Sequence, residues 1–67
     1  MNYHLIGKTI GMIRKQLDMT QEELCAGIIE PGTLSKIERG VHGISKEKMD
    51  LLLGRLVHQD INNSPYL

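Results

Sequence analysis

The sequence predicts an all-α fold, a compact bundle of four to five short helices in which the second and third form a helix-turn-helix. Three observations carry that expectation: apolar residues recur at three- and four-residue spacings near both ends, helix-start and helix-stop residues punctuate the middle, and no stretch alternates with the two-residue period of a strand. A chain of 67 residues buries only about 60% of the surface it exposes when unfolded, which supports one small core and leaves no room for an enclosed catalytic cavity.

Ile6, Ile10, Ile13 and Leu17 fall on one helical stripe, so the first helix is expected over 5–17. Gly7 and Gly11 weaken it by about 1 kcal/mol each relative to Ala. With Lys8, Arg14 and Lys15 in the same segment, these glycines read as points of close helix packing and not as a membrane dimer motif. Thr20-Gln21-Glu22-Glu23 is a capping box that starts a second helix at Gln21, with Leu24 and Ile28 inward and an end near Gly27 or Ile28. Pro31 suits a first helical turn and Gly40 a left-handed cap, giving a third helix over 31–39. After the connector 41–44, Ser45 caps a fourth helix that turns Met49, Leu52, Leu53 and Leu56 inward. Beyond Val57 the apolar rhythm stops, and Asn62-Asn63-Ser64-Pro65 combines a turn with the cap-plus-proline start of one more helix. We therefore divide the chain into a domain over 1–57 and, over 58–67, a tail or the start of a linker or fifth helix. An ending at such a point reads as a truncated piece or as the first domain of a longer protein.

Composition narrows the function. A single cysteine permits no internal disulfide framework and no thiolate zinc cluster, which points to a reducing cytoplasm. No basic-then-apolar leader and no run of 18 apolar residues occurs, so neither export nor a membrane is expected. His4, His42 and His58 lack ligand spacing, and no nucleophile stands at a readable distance from a base; neither a metal site nor an enzyme is indicated. Eight Lys and Arg balance eight Asp and Glu, and a net charge of zero argues against the simplest picture of a nucleic-acid binder. The signs are unevenly placed, however. Lys8, Arg14 and Lys15 precede the acids Asp18, Glu22, Glu23, Glu30 and Glu38, so local fields still matter.

The connector Gly27-Ile28-Ile29-Glu30 is too short for side-by-side antiparallel packing and forces a steep crossing of helices two and three. Gly32, Thr33 and Lys36 lie along one stripe of the third helix and Leu34 and Ile37 along another. The polar stripe can enter a major groove roughly 12 Å wide.

With Ile-Arg-Lys at 13–15, Thr-Gln-Glu-Glu-Leu at 20–24 and Leu-Ser-Lys-Ile-Glu-Arg-Gly at 34–40, the chain from Ile6 through Leu56 resembles the lambda-repressor/Cro-like, or XRE-like, helix-turn-helix family. Ile28-Ile29-Glu30-Pro31 followed by Leu34-Ser35-Lys36-Ile37-Glu38 is similar to the amino-terminal domain of Rgg/PlcR-type regulators, which join DNA binding to a peptide-sensing helical domain missing from these residues. The resemblance implies a bacterial transcription regulator that binds double-stranded DNA as a homodimer, with no cofactor. It implies base contacts from Gly32, Thr33 and Lys36, phosphate contacts from Thr20, Gln21, Arg39, His42 and Lys46, and an ion pair between Arg14 and Glu38 that links helix one to the end of the recognition helix. Lys15 adds another phosphate contact, although each of these charges reads equally as an ordinary solvated one. Cys25 falls where the family has a small alanine and is expected as a buried small hydrophobe. Two departures stand out: the turn lacks the family's usual glycine and is one residue shorter, and Gly32 occupies a position where a side chain often reads a base. The competing reading is a helical protein-interaction module that keeps the fold without binding DNA, and the neutral charge favours it.

Overall fold

The computed structural model describes the backbone of residues 3–62, with side chains over 4–59. Four helices follow in order: α1 (Tyr3–Gln16), α2 (Gln21–Cys25), α3 (Pro31–Glu38) and α4 (Lys46–Asn62). There is no strand among the described residues. Each helix buries the stripe its apolar spacing marks. Ile10 from α1, Leu24 and Cys25 from α2, Leu34 from α3 and Leu52 and Leu56 from α4 meet in one core, with Met19 from the first connector. Ile6, Ile13, Leu17, Ile28, Ile44 and Leu53 pack around it half-buried. Stability in so small a domain is of the order of 0.05–0.15 kcal/mol per residue. Truncating one fully buried leucine such as Leu34, at about 2–5 kcal/mol, therefore removes much of the total.

The helix ends are set by backbone chemistry. α1 stops at Gln16, one residue short of the expected end, because Asp18 adopts a left-handed φ of 54°. Asp18 N–H then donates to the Lys15 carbonyl and Met19 N–H to the Arg14 carbonyl. α3 closes the same way: Gly40 has φ 78°, its N–H donates to the Ile37 carbonyl, and Val41 N–H donates to the Lys36 carbonyl. Both ends are the paired 5→2 and 6→1 closure that left-handed residues make possible. Ser45 Oγ accepts from Lys48 N–H at 3.2 Å and opens α4.

Two expectations need correction. α2 ends at Cys25, earlier than Gly27 or Ile28, because its chain turns out of the helix at Ala26, whose ψ is 124°. Gly27, expected in the connector, lies in the turn with a left-handed φ of 77°, and the turn spans 26–30. At the other end, α4 continues through Asn62 although the apolar rhythm fades after Val57. The fifth helix expected from Ser64 onward lies outside the described residues.

Candidate nucleic-acid interface

The proposed recognition segment is built from its first residue. Glu30 is extended at the N-cap with no side-chain cap bond, and Pro31 occupies N1, where its missing N–H costs nothing. The helix that follows seals Leu34 and Ile37 inside and leaves Gly32 and Lys36 exposed, with Thr33 half-buried between the two faces. A side chain at Gly32 would meet open space. The Lys36 ammonium makes no hydrogen bond or ion pair among the described residues, while its backbone carbonyl accepts from Val41 N–H.

What aims this helix is its seam with α1. A Cβ at Gly7 would overlap the Ile37 carbonyl, so only glycine lets α1 approach α3 this closely there, while one at Gly11 would stand 3.1 Å from the Glu38 carboxyl group and press that side chain aside by a few tenths of an ångström. Arg14 holds the Glu38 carboxylate that lies against Gly11. Its Nε donates to Glu38 Oε2 at 2.7 Å and its Nη2 to Oε1 at 2.9 Å, a two-pronged pair between side chains only 10% and 9% exposed. Arg14 Nη1 also donates to the Met19 carbonyl at 2.7 Å, which ties the first connector to the same point. The Glu38 hydrogen bonds, and secondarily its charge, hold the guanidinium above its ordinary pKa against the opposing effect of burial.

Gln21 joins this knot: its Nε2 donates to Glu38 Oε1 at 3.2 Å, so one of its two amide hydrogens is turned inward toward the end of α3. Thr20 Oγ1 accepts from Glu23 N–H at 3.0 Å while Glu23 Oε1 accepts from Thr20 N–H at 2.8 Å, closing the capping box. Arg14, Glu38 and Gln21 thus come together. The remaining candidates do not cluster with them. Lys15 and His42 are exposed and unpaired among the described residues. Arg39 leans back on its own helix, its Nε 3.4 Å from the Ser35 carbonyl that accepts from it. Lys46 Nζ donates to Asp50 Oδ2 at 2.9 Å, an exposed pair whose hydrogen bond and charge raise its pKa. Cys25 is a free, buried thiol, and burial pushes its pKa up, away from a reactive thiolate.

Two residues absent from the sequence reading hold the turn from behind. Arg55 donates to the carbonyls of Leu24 and Ala26, and Lys48 to that of Ile28. Their signal was legible in spacing: Lys48, Leu52 and Arg55 follow at i, i+4 and i+7, so two cations share a stripe with a fully buried leucine.

Among the described residues no group of three His, Cys, Asp or Glu side chains could hold a metal ion, and no helix is long and apolar enough to cross a membrane. No curated protein and no solved structure matches the chain at a significant level. A helix-turn-helix family model matches residues 10–56, more than two thirds of the chain and all of α2, the turn and α3, and carries no narrower assignment to the Rgg/PlcR type. With the short capped helix, the glycine-bearing turn and the half-buried third helix on which that match falls, the chain belongs to the XRE/Cro-like helix-turn-helix family of DNA-binding domains.

Proposed function

We propose that this domain binds double-stranded DNA sequence-specifically as part of a transcription regulator, with α3 in the major groove. The observation that carries the reading is the two-sidedness of α3: Leu34 and Ile37 are sealed in the core while Gly32 and Lys36 are open to solvent, with Thr33 at the boundary. Lys36 donates to guanine O6 or N7, and Thr33 meets a thymine methyl or a base edge. Gly32 contributes close approach without a side chain, which shifts specificity toward Thr33, Lys36 and the shape of the duplex. Thr20, Gln21 through its second amide hydrogen, Lys15, Arg39, His42 and Lys46 contact phosphates. The domain lies over 1–57, and it acts as a homodimer on half-sites about 34 Å apart, or multiples of this. A peptide- or protein-sensing domain beyond these residues supplies the signal.

A salt-dependent anisotropy titration tests this. Affinity for duplex DNA falls with a log–log slope of about −0.9 per phosphate contacted. Lys36→Ala costs about 1–3 kcal/mol on the preferred site and relaxes discrimination at one position, whereas Gln21→Ala weakens all sequences alike. Binding unchanged by both substitutions sinks the docking. The second reading, a protein-interaction module, is favoured by the zero net charge and by Arg14, Lys48 and Arg55 being engaged internally. Absence of any salt-dependent duplex binding would select it.

A further inference from the structure

Five residues are too few for α2 to hold itself as a helix in water, so something outside it must fix how it ends. Its start is tied by its own capping box. Its end is tied by another element. Arg55 Nη1 donates to the carbonyls of Ala26 at 2.7 Å and Leu24 at 2.9 Å, with Glu23 at 3.3 Å, and Lys48 Nζ donates to the Ile28 carbonyl at 3.1 Å. Carbonyls left over at a helix C-terminus carry partial negative charge, and cations there are stabilising. Both side chains are half-buried on either side of the fully buried Leu52, so the rigid α4 carries the clamp to the turn. Within the turn, Ile28 and Ile29 N–H both donate to the Cys25 carbonyl, and Gly27 supplies the left-handed step. The clamp therefore spans the turn that joins α2 to α3.

We propose that Arg55 and Lys48 are positioning residues for operator recognition. Resting on the reading of α3 as the recognition helix, they set, together with the α1 seam, the angle between α2 and α3, and do so from the opposite side of the turn without contacting the duplex. Loss of the clamp therefore appears as lost discrimination and not as lost general affinity.

The test compares Arg55→Met, Arg55→Lys, Lys48→Met and, as a control for the removed charge, Lys8→Met, since Lys8 is exposed and unpaired among the described residues. Each is titrated against a duplex selected from a random pool by the wild-type protein and against a random-sequence duplex, at two salt concentrations, alongside amide exchange. Arg55→Met lowers affinity for the selected duplex roughly tenfold, the scale of a lost charge-assisted bond. Its random-duplex affinity and salt slope match those of Lys8→Met. Ile28 and Ile29 amides exchange faster while α1 amides do not, and Arg55→Lys restores most of the preference. Lys48→Met gives the same pattern more weakly and decides the matter if Arg55→Met does not fold. An unchanged ratio of selected to random affinity in folded Arg55→Met or Lys48→Met overturns the proposal, as does unchanged turn exchange. A wild-type protein that prefers no duplex overturns the DNA reading itself, and turn exchange then still reports whether the clamp exists.

Discussion

The first helix makes two seams of opposite character. Against α3 it is closed, with Gly7 under the Ile37 carbonyl, Gly11 under Glu38 and a buried ion pair stitching the far end. Against α4 it is open. Two shallow cavities of about 260 and 280 Å³ run along that seam, one lined by Ile13, Leu17 and Val57, the other by Leu5, Ile6 and Met49, with Leu53 shared between them. Both seams cover the same core, so apolar burial alone does not explain the difference. The closed seam fixes the direction of the helix proposed to read DNA, whereas the open one only needs to exclude water from Ile10 and Leu56. Tightness follows the need for orientation.

The most damaging way to break that contrast is a single methyl. Gly7→Ala places a Cβ inside the Ile37 carbonyl, a backbone atom that moves only if α3 moves. Overpacking of this kind costs about 3 kcal/mol or more, a large part of what a domain of this size has. Thermal unfolding should show a domain at or past the edge of folding at 37 °C. An unshifted midpoint would mean that the two helices slide freely and that the seam sets nothing.

Next in size is Glu38→Gln. The side chain keeps its shape, but the Arg14 guanidinium loses its counter-charge in a place where both side chains are nearly excluded from water. A buried charge left without its partner is costly, and about 2–3 kcal/mol is expected here because the Met19 carbonyl still accepts one of its N–H groups. The pair as a whole orients more than it stabilises, so replacing both members with apolar residues should cost less than either single change. A double-mutant cycle measures that coupling.

Much of this contrast was legible in the sequence. The period-3.6 stripes of α1 and α4 identify Ile10, Leu52 and Leu56 as core, and Thr20, Gly40 and Ser45 mark ends that the structure places within a residue or two. The glycine spacing of α1 indicates close approach, because nothing else there calls for two weak helix formers. Less legible was the end of α2. Leu24 and Ile28 keep a four-residue spacing whether the backbone between them is helical or turned, so periodicity extends the helix past Ala26 although the chain has already left it there. The clamp by Arg55 and Lys48 escaped because carbonyl acceptors leave no mark in a sequence. Only the carrying stripe does. The open seam was equally hidden, since Leu5 and Val57 look like any apolar residue until their neighbours are known.

Gly54 sharpens the comparison from the other side. It lies in the middle of α4, and a Cβ there meets nothing within 4 Å. Gly54→Ala should stabilise by about 0.5–1 kcal/mol, since alanine loses less backbone freedom and nothing has to move. The midpoint should rise by a few degrees. The same substitution thus carries opposite signs at Gly7 and at the exposed Gly54, and equal effects at both would mean that contact with α3 does not set the sign at Gly7.

The smallest effect lies on α2, outside either seam, and it is a dependence on pH. The Glu23 carboxyl is held below its ordinary pKa of 4.5, first by the Thr20 backbone N–H it accepts from and then by the Thr20 side chain. A carboxylate depressed in the folded state adds stability above the unfolded pKa, and that addition is lost as pH falls through the folded value. Glu23→Gln keeps an acceptor for the Thr20 N–H but does not titrate. Wild type should therefore melt above the variant at pH 7, with the gap closing on acidification below about pH 4.5, and because the group is exposed the gap should also shrink in high salt. A gap that stays constant from neutral to acid pH would place the loss in side-chain packing and not in the ionised cap. In either case the α1–α3 seam should keep its exchange protection, because the capping box closes on α2 alone.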